Sequence, residues 1–265
     1  EVERATAIVS NFDERFFAER TGVGARSPRP VFIVSLPRSG TSLLEQMLDR
    51  HPAFLGRGEE RFFGRLFGRM QCGVGESPAH FAKFARLLPE TWAERGTKYA
   101  EGFDLRTVDK AMSLDESLGA IACALPQARI VHLRRDRRDV ALSNLMTNFG
   151  PFTCPHALVP ANTALHIERH EALMNHWKRV LPLPILSLDY EDLVDDPERE
   201  LRRVFEFLGE EYAPEALAFH ESDRPIFTAS LAQVREPLNK RGVAKWRKYE
   251  QGLREVLPAD WFGAG

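Results

Sequence analysis

Val31-Phe32-Ile33-Val34-Ser35-Leu36-Pro37-Arg38-Ser39-Gly40-Thr41-Ser42 is the stretch on which the fold turns. Its first four residues form an apolar run of the kind found in a fully buried strand. Residues 36–42 are a turn rich in small and hydroxyl-bearing side chains, after which Leu43, Leu44, Met47 and Leu48 repeat at helical spacing. Strand, tight loop and helix N-terminus in that order make an anion cradle. The loop's backbone N–H groups converge where the helix dipole is positive. Gly40 lets the backbone approach an oxyanion closely. Arg38 supplies a fixed charge with a planar donor fork, and Ser39, Thr41 and Ser42 can each donate a hydrogen bond. On this segment alone an ordinary strand-to-helix turn, shaped by Pro37 and Gly40, stays open as the plainer reading.

The loop is not the Gly-x-x-x-x-Gly-Lys-[Ser/Thr] signature, because Arg38 precedes the glycine and no lysine follows it. Pro-Arg-Ser-Gly-Thr-Ser after a buried strand instead resembles the 5′-phosphosulfate loop of sulfotransferases that use 3′-phosphoadenosine 5′-phosphosulfate (PAPS). The resemblance implies that Arg38, Ser39, Gly40, Thr41 and Ser42 hold the 5′ end of PAPS, with Arg38 also acting on the transferring group. The loop ends Thr-Ser where Thr-Thr is commoner, which preserves a hydroxyl at Ser42.

The surrounding chain is ordinary for a globular protein. Its 265 residues are 43% apolar and 28% charged, enough for one large α/β domain or two small ones. The formal charge of −2 gives no global basicity of the kind that marks nucleic-acid binding. No stretch approaches the ~20 apolar residues that span a bilayer, and no signal peptide is visible. The chain starts at Glu1 without a methionine, which reads as a processed or trimmed start. Cys72, Cys123 and Cys154 are odd in number and far apart, so they suggest neither a disulfide framework nor a zinc site. A reducing cytoplasm is the expected setting.

Strands and helices alternate along the sequence. Ile8, Phe12, Phe16 and Phe17 predict a lead-in helix within residues 1–20, and a loop follows at 21–30. Residues 52–106, rich in glycine, read as short helices around loops. Residues 107–108, 129–133 and 185–188 read as strands; residues 113–125, 136–149 and 166–180 read as helices. A further helix is capped by Asp196, opened by Pro197 and ended by Gly209. The expected fold is α/β: a mainly parallel central sheet flanked by helices, like that of P-loop NTPases. Its ligands would bind beyond the carboxyl ends of the strands. The expected organisation is a single domain over 1–265, with a lead-in at 1–29 and a core at 30–257.

Four more segments extend the resemblance, which covers roughly residues 8–257. In Leu133-Arg134-Arg135-Asp136-Arg137-Arg138-Asp139-Val140-Ala141-Leu142-Ser143, a strand ends on arginine and a helix carries a serine. Read alone, this is a solvated charge run or a site where guanidinium and hydroxyl share one phosphate. The resemblance makes Arg135 and Ser143 the 3′-phosphate pair, with Arg134 as the neighbouring candidate for the arginine. Gly58-Glu59-Glu60 matches the Gly-Glu motif of tyrosylprotein sulfotransferases and their bacterial relatives, in which the first glutamate is the base; this points to Glu59. Asp109-Lys110 ends a strand, and the family has an Asp-Lys at this point in the order. Lys110 would stabilise charge on the leaving bridging oxygen. The tail, Thr228-Ala229-Ser230 through Gln233-Val234-Arg235 to Trp246-Arg247-Lys248-Tyr249, resembles the cofactor-covering segment of the bacterial relatives. That implies a role for Ser230 at the transferring group, and for Arg241 and Lys245 at the nucleotide. Tyr190 stands in the place of a nucleotide-contacting tyrosine.

The chain is therefore expected to be a PAPS-dependent sulfotransferase of the bacterial branch, leaving 3′,5′-adenosine bisphosphate (PAP) after direct in-line transfer. Its acceptor would be a hydroxyl on a protein tyrosine, a saccharide or a small alcohol or phenol. Neither metal, nucleic acid nor membrane is expected to take part. A P-loop-type kinase or NTPase and a catalytically silent nucleotide-binding module are the alternatives.

Overall fold

β1 (Pro30–Val34) is buried along its whole length because it lies in the middle of a sheet covered on both faces. The computed structural model describes residues 2–20, 22–60, 62–63, 79–149, 154–222 and 235–263. β2 (Phe54–Gly58), β3 (Arg106–Asp109), β4 (Arg129–Arg134) and β5 (Ile185–Asp189) complete a five-stranded sheet in the order β2-β3-β1-β4-β5. Every neighbouring pair is parallel. Side chains alternate across a strand, so Phe32 and Val34 of β1 enter one hydrophobic cluster while Val31 and Ile33 enter the other.

The first cluster is covered by α1 (Val2–Asn11), α2 (Glu14–Ala18), α4 (Ala79–Ala85), α5 (Pro89–Ala100), α6 (Leu118–Ala124) and part of α8 (Pro160–Val180). Against the second pack α3 (Thr41–Asp49) and α10 (Pro197–Leu208), with α9 (Tyr190–Asp195) at the edge. A third cluster joins α7 (Arg137–Leu145) and α8 to Trp246, to Leu253 of α11 (Glu250–Val256) and to Leu257 and Trp261, which fastens the C-terminal segment to the sheet's β4 side. Among the described residues no helix is long and apolar enough to cross a membrane.

Several local expectations are corrected. Residues 54–58, read as part of a helix-and-loop region, form an edge strand. Two glycines and an arginine give it little intrinsic strand preference. Pairing with β3 makes it a strand, with an irregular register between Gly56 and Gly58. The Asp49 and Glu45 carboxylates accept from the Gly56 and Gly58 N–H groups, each at 2.6 Å, and tie the strand to α3. The lead-in helix breaks in two where Asp13 caps α2 by accepting from the Phe16 N–H. Residues 113–125 divide into a 3-10 turn at Leu114–Glu116 and α6. The helix expected from 166 starts at Pro160, whose fixed φ suits a first turn, and the helix expected to reach 149 ends at Leu145. α10 keeps its expected punctuation: Asp196 accepts from the Arg199 N–H and Gly209 closes the helix at φ 79°.

Candidate active site

All five strands point their carboxyl ends at one edge of the sheet, where Arg38, Glu59, Lys110, Arg135 and Tyr190 follow β1, β2, β3, β4 and β5. β1 runs into the loop 35–40, where Arg38 (φ 70°) and Gly40 (φ 98°) both take left-handed backbone. Left-handed backbone at alternate positions of a loop helps turn N–H groups toward one concavity, an arrangement suited to anions. Gly40 has a second reason to be glycine: a Cβ there would stand 2.6 Å from Cδ2 of Tyr190. The loop is fixed from behind. Ser35 Oγ donates to the Leu133 carbonyl at 2.5 Å, and Asn144 Nδ2 donates to the Pro37 carbonyl at 3.0 Å.

β4 delivers Arg135 beside this loop. Its Nη1 donates to the Arg38 carbonyl at 2.7 Å, its Nη2 to the Gly242 carbonyl at 2.5 Å, and its guanidinium lies 4.5 Å from the centroid of the Tyr190 ring. Arg38 Nε donates to Ser143 Oγ at 3.1 Å. Arg38 thus reaches from the loop expected to hold the 5′ end to Ser143, which was expected to share the 3′-phosphate with Arg135. Burial, and then repulsion by Arg135, push the Arg38 pKa below its ordinary value.

These groups enclose a cleft of about 320 Å³. Arg38, Gly40, Ser42, Arg135, Ser143, Tyr190, Arg241 and Lys245 all line it, although they come from residues 38 to 245 of the chain. Ser39 and Thr41 do not. Ser39 is buried in the loop and Thr41 opens α3. Arg241 also pairs with Glu236 at 3.2 Å. Ser230 lies outside the described residues.

Glu59 and Lys110 meet at the ends of β2 and β3. Lys110 Nζ donates to Glu59 Oε1 at 3.2 Å and lies 3.9 Å from Glu45 Oε2. The lysine side chain is buried and that of Glu59 about a third exposed. Glu60 turns elsewhere, pairing with Arg57 at 3.2 Å. Asp109, next to Lys110, is buried and accepts from Tyr99 Oη at 3.0 Å and from the Ala111 N–H at 2.9 Å. Burial raises its carboxyl from 3.8 to about 7 against the pull of those two donors.

Sequence reasoning missed Glu45 and Asp139. Glu45 is a buried acid in α3, and an acid directly after Leu43 and Leu44 and shortly before Met47 and Leu48 was the available signal. Asp139 is buried in the cleft wall and accepts from the Trp246 N–H at 2.8 Å. It was hidden within the arginine run. Among the described residues no group of three or more His, Cys, Asp or Glu side chains is placed to hold a metal ion.

The Sulfotransferase family model matches residues 30–214, which hold all five strands. The chain belongs to the sulfotransferase family. An uncharacterized protein of Aquifex aeolicus is 31% identical over 251 residues, 89% of this chain and 33% of that protein. Protein-tyrosine sulfotransferase 2 of Gallus gallus is 25% identical over 244 residues, 82% of this chain and 62% of that one. This sulfotransferase chain thus spans a third of one relative and less than two thirds of the other. Among solved structures, the sulfotransferase domain from the Synechococcus PCC 7002 olefin synthase superposes with a TM-score of 0.63 at 20% identity, covering 86% of this chain and 90% of that domain. A mouse sulfotransferase complexed with PAP gives 0.50 at 16% identity, covering 93% and 89%. These two likenesses are of fold, which is the parallel α/β sheet of sulfotransferases.

Proposed function

We propose that this sulfotransferase takes its sulfuryl group from PAPS and passes it to an acceptor hydroxyl, working as a single catalytic domain. The observation that carries the reading is the convergence of the positive-φ loop of β1, the arginine at the end of β4 and two basic side chains of the C-terminal segment on one cleft. A ligand with anionic groups at both ends of a nucleoside fits this donor set, since charge-assisted hydrogen bonds from planar guanidinium groups suit phosphate oxygens. PAPS supplies the sulfuryl group and a phosphate leaving group. Arg38, Gly40 and Ser42 would hold its 5′ end, Arg135 and Ser143 its 3′-phosphate, and Tyr190, Arg241 and Lys245 its nucleoside and flanking charge.

Glu59 is assigned as the base that takes the proton of the acceptor hydroxyl, and Lys110 as the donor that meets charge developing on the bridging oxygen. Their contact at 3.2 Å supports assigning both groups to one centre. Most of the remaining catalysis is positioning and preorganised charge. A protein tyrosine, a saccharide and a small alcohol or phenol are the acceptor classes considered. The test is transfer of radiolabelled sulfate from PAPS to an acceptor library. Labelled product that disappears in Glu59→Gln supports the reading. Phosphate transfer from ATP with magnesium, and none from PAPS, would replace it with a kinase. Binding of PAP with no transfer to any acceptor would make it a silent module.

A further inference from the structure

We propose that Asp139 is a positioning residue that latches the C-terminal segment 239–246 over the cleft; this rests on reading that cleft as the PAPS site. Asp139 stands in the first turn of α7 and is 1% exposed, in a wall it shares with Arg38, Arg135, Arg241 and Lys245. A buried carboxylate without a donor is costly. Its Oδ1 accepts from the Trp246 backbone N–H, 2.8 Å away and 107 positions on in the sequence. Burial pushes its carboxyl above the usual carboxylate range, and the Trp246 N–H and the Arg135 charge pull it back.

The segment it holds is strained. Ala244 sits at φ 52°, in the left-handed region that an alanine seldom occupies and that persists where surrounding contacts enforce it. Those contacts lie on both sides of Ala244. After it, Trp246 is buried with Val140 and Leu142 of α7, and the Arg138 guanidinium lies 3.8 Å from its ring centroid. Before it, the Gly242 carbonyl accepts from Arg135. Gly242 is pressed so close that an added Cβ would lie 3.1 Å from Arg135 Nη2 and 3.2 Å from Tyr190 Oη. The turn brings Arg241 and Lys245 onto the cleft wall, where an anion would meet them. A carboxylate aimed at phosphates would repel them. Bonded to the backbone of the covering segment, it instead fixes the cations that attract them.

The experiment joins residue-resolved hydrogen exchange with titration by PAP, on the wild-type chain, Asp139→Ala and Asp139→Asn. In the wild type the Trp246 amide should be protected as strongly as the amides of α7. Fast exchange at Trp246 in the folded wild type overturns the proposal, whether or not a variant folds. Asp139→Ala should release residues 242–247 and weaken PAP binding by about tenfold or more, the loss expected when a charged acceptor is removed. Asp139→Asn keeps an oxygen for the same N–H and should restore most of both. Weaker binding in Asp139→Ala with unchanged exchange overturns the latch, as does an equal loss in Asp139→Asn. Exchange controlled by Asp139 in a chain whose wild type does not bind PAP upholds the latch and overturns the PAPS reading.

Discussion

Glu59 and Glu60 are neighbours with the same chemistry, and their partners separate them. Glu60 is paired with Arg57, while Glu59 meets the buried Lys110. Glu59→Gln keeps size and most hydrogen bonding but cannot take a proton, so kcat should fall by about 10²–10⁴-fold. PAP affinity should stay close to wild type, because Glu59 does not line the cleft proposed to take the nucleotide. Glu60→Gln should keep most activity. Steady-state kinetics with separate PAP titrations check both, and an inactive Glu60→Gln with an active Glu59→Gln would reverse the assignment. At this scale the short motifs were legible: Arg38, Arg135, Ser143, Tyr190, Arg241 and Lys245 were named from the sequence and share one cleft. Glu45 and Asp139 were not, because each works by accepting from a backbone N–H whose approach only the fold decides.

The loop of β1 and the helix it enters form the element on which binding of the donor is proposed to depend. Gly40→Ala must place a Cβ within 2.6 Å of the Tyr190 ring and hold alanine at φ 98°. The backbone term alone should cost about 1–2 kcal/mol. The displaced tyrosine should further weaken PAP binding, and chemical denaturation beside a binding titration would show both losses. A Gly40→Ala chain with wild-type stability and affinity would show that the loop is not built as described. The end of β3 makes a different prediction. Asp109 has a carboxyl raised from 3.8 to about 7, so between those values the folded state keeps a proton that the unfolded state releases. Its contribution to stability therefore falls as pH rises from about 4 to about 7, and levels off above. Asp109→Asn lacks this dependence, so its stability relative to wild type should rise across that window. Melting curves from pH 4 to 8 check it, and a constant difference would contradict it. β1, β4, β5 and the capped α10 were legible because apolar runs and helix punctuation are local signals. β2 was not, because a strand of Phe-Leu-Gly-Arg-Gly is made by its pairing to β3 and its ties to α3.

Across the whole molecule, the parallel order β2-β3-β1-β4-β5 divides the work along one edge of the sheet. β1, β4 and β5 present the cleft proposed to take the nucleotide, while β2 and β3 present Glu59 and Lys110. That ligands would gather at this edge could be anticipated from the alternation of strands and helices, since ligands of open parallel sheets bind beyond the strand ends. The closing of the C-terminal segment onto α7 could not, because it depends on contacts between residues more than a hundred positions apart. The most direct test of the central claim is calorimetric titration of the chain with PAP and with ATP. PAP carries both the 5′- and the 3′-phosphate that the cleft is proposed to bind, so it should bind and raise the melting temperature by mass action on the native state. ATP lacks the 3′-phosphate and should bind at least about tenfold more weakly, the loss of one charge-assisted contact. Equal affinity for the two would contradict the account, because Arg135 and Ser143 would then not be reading a 3′-phosphate.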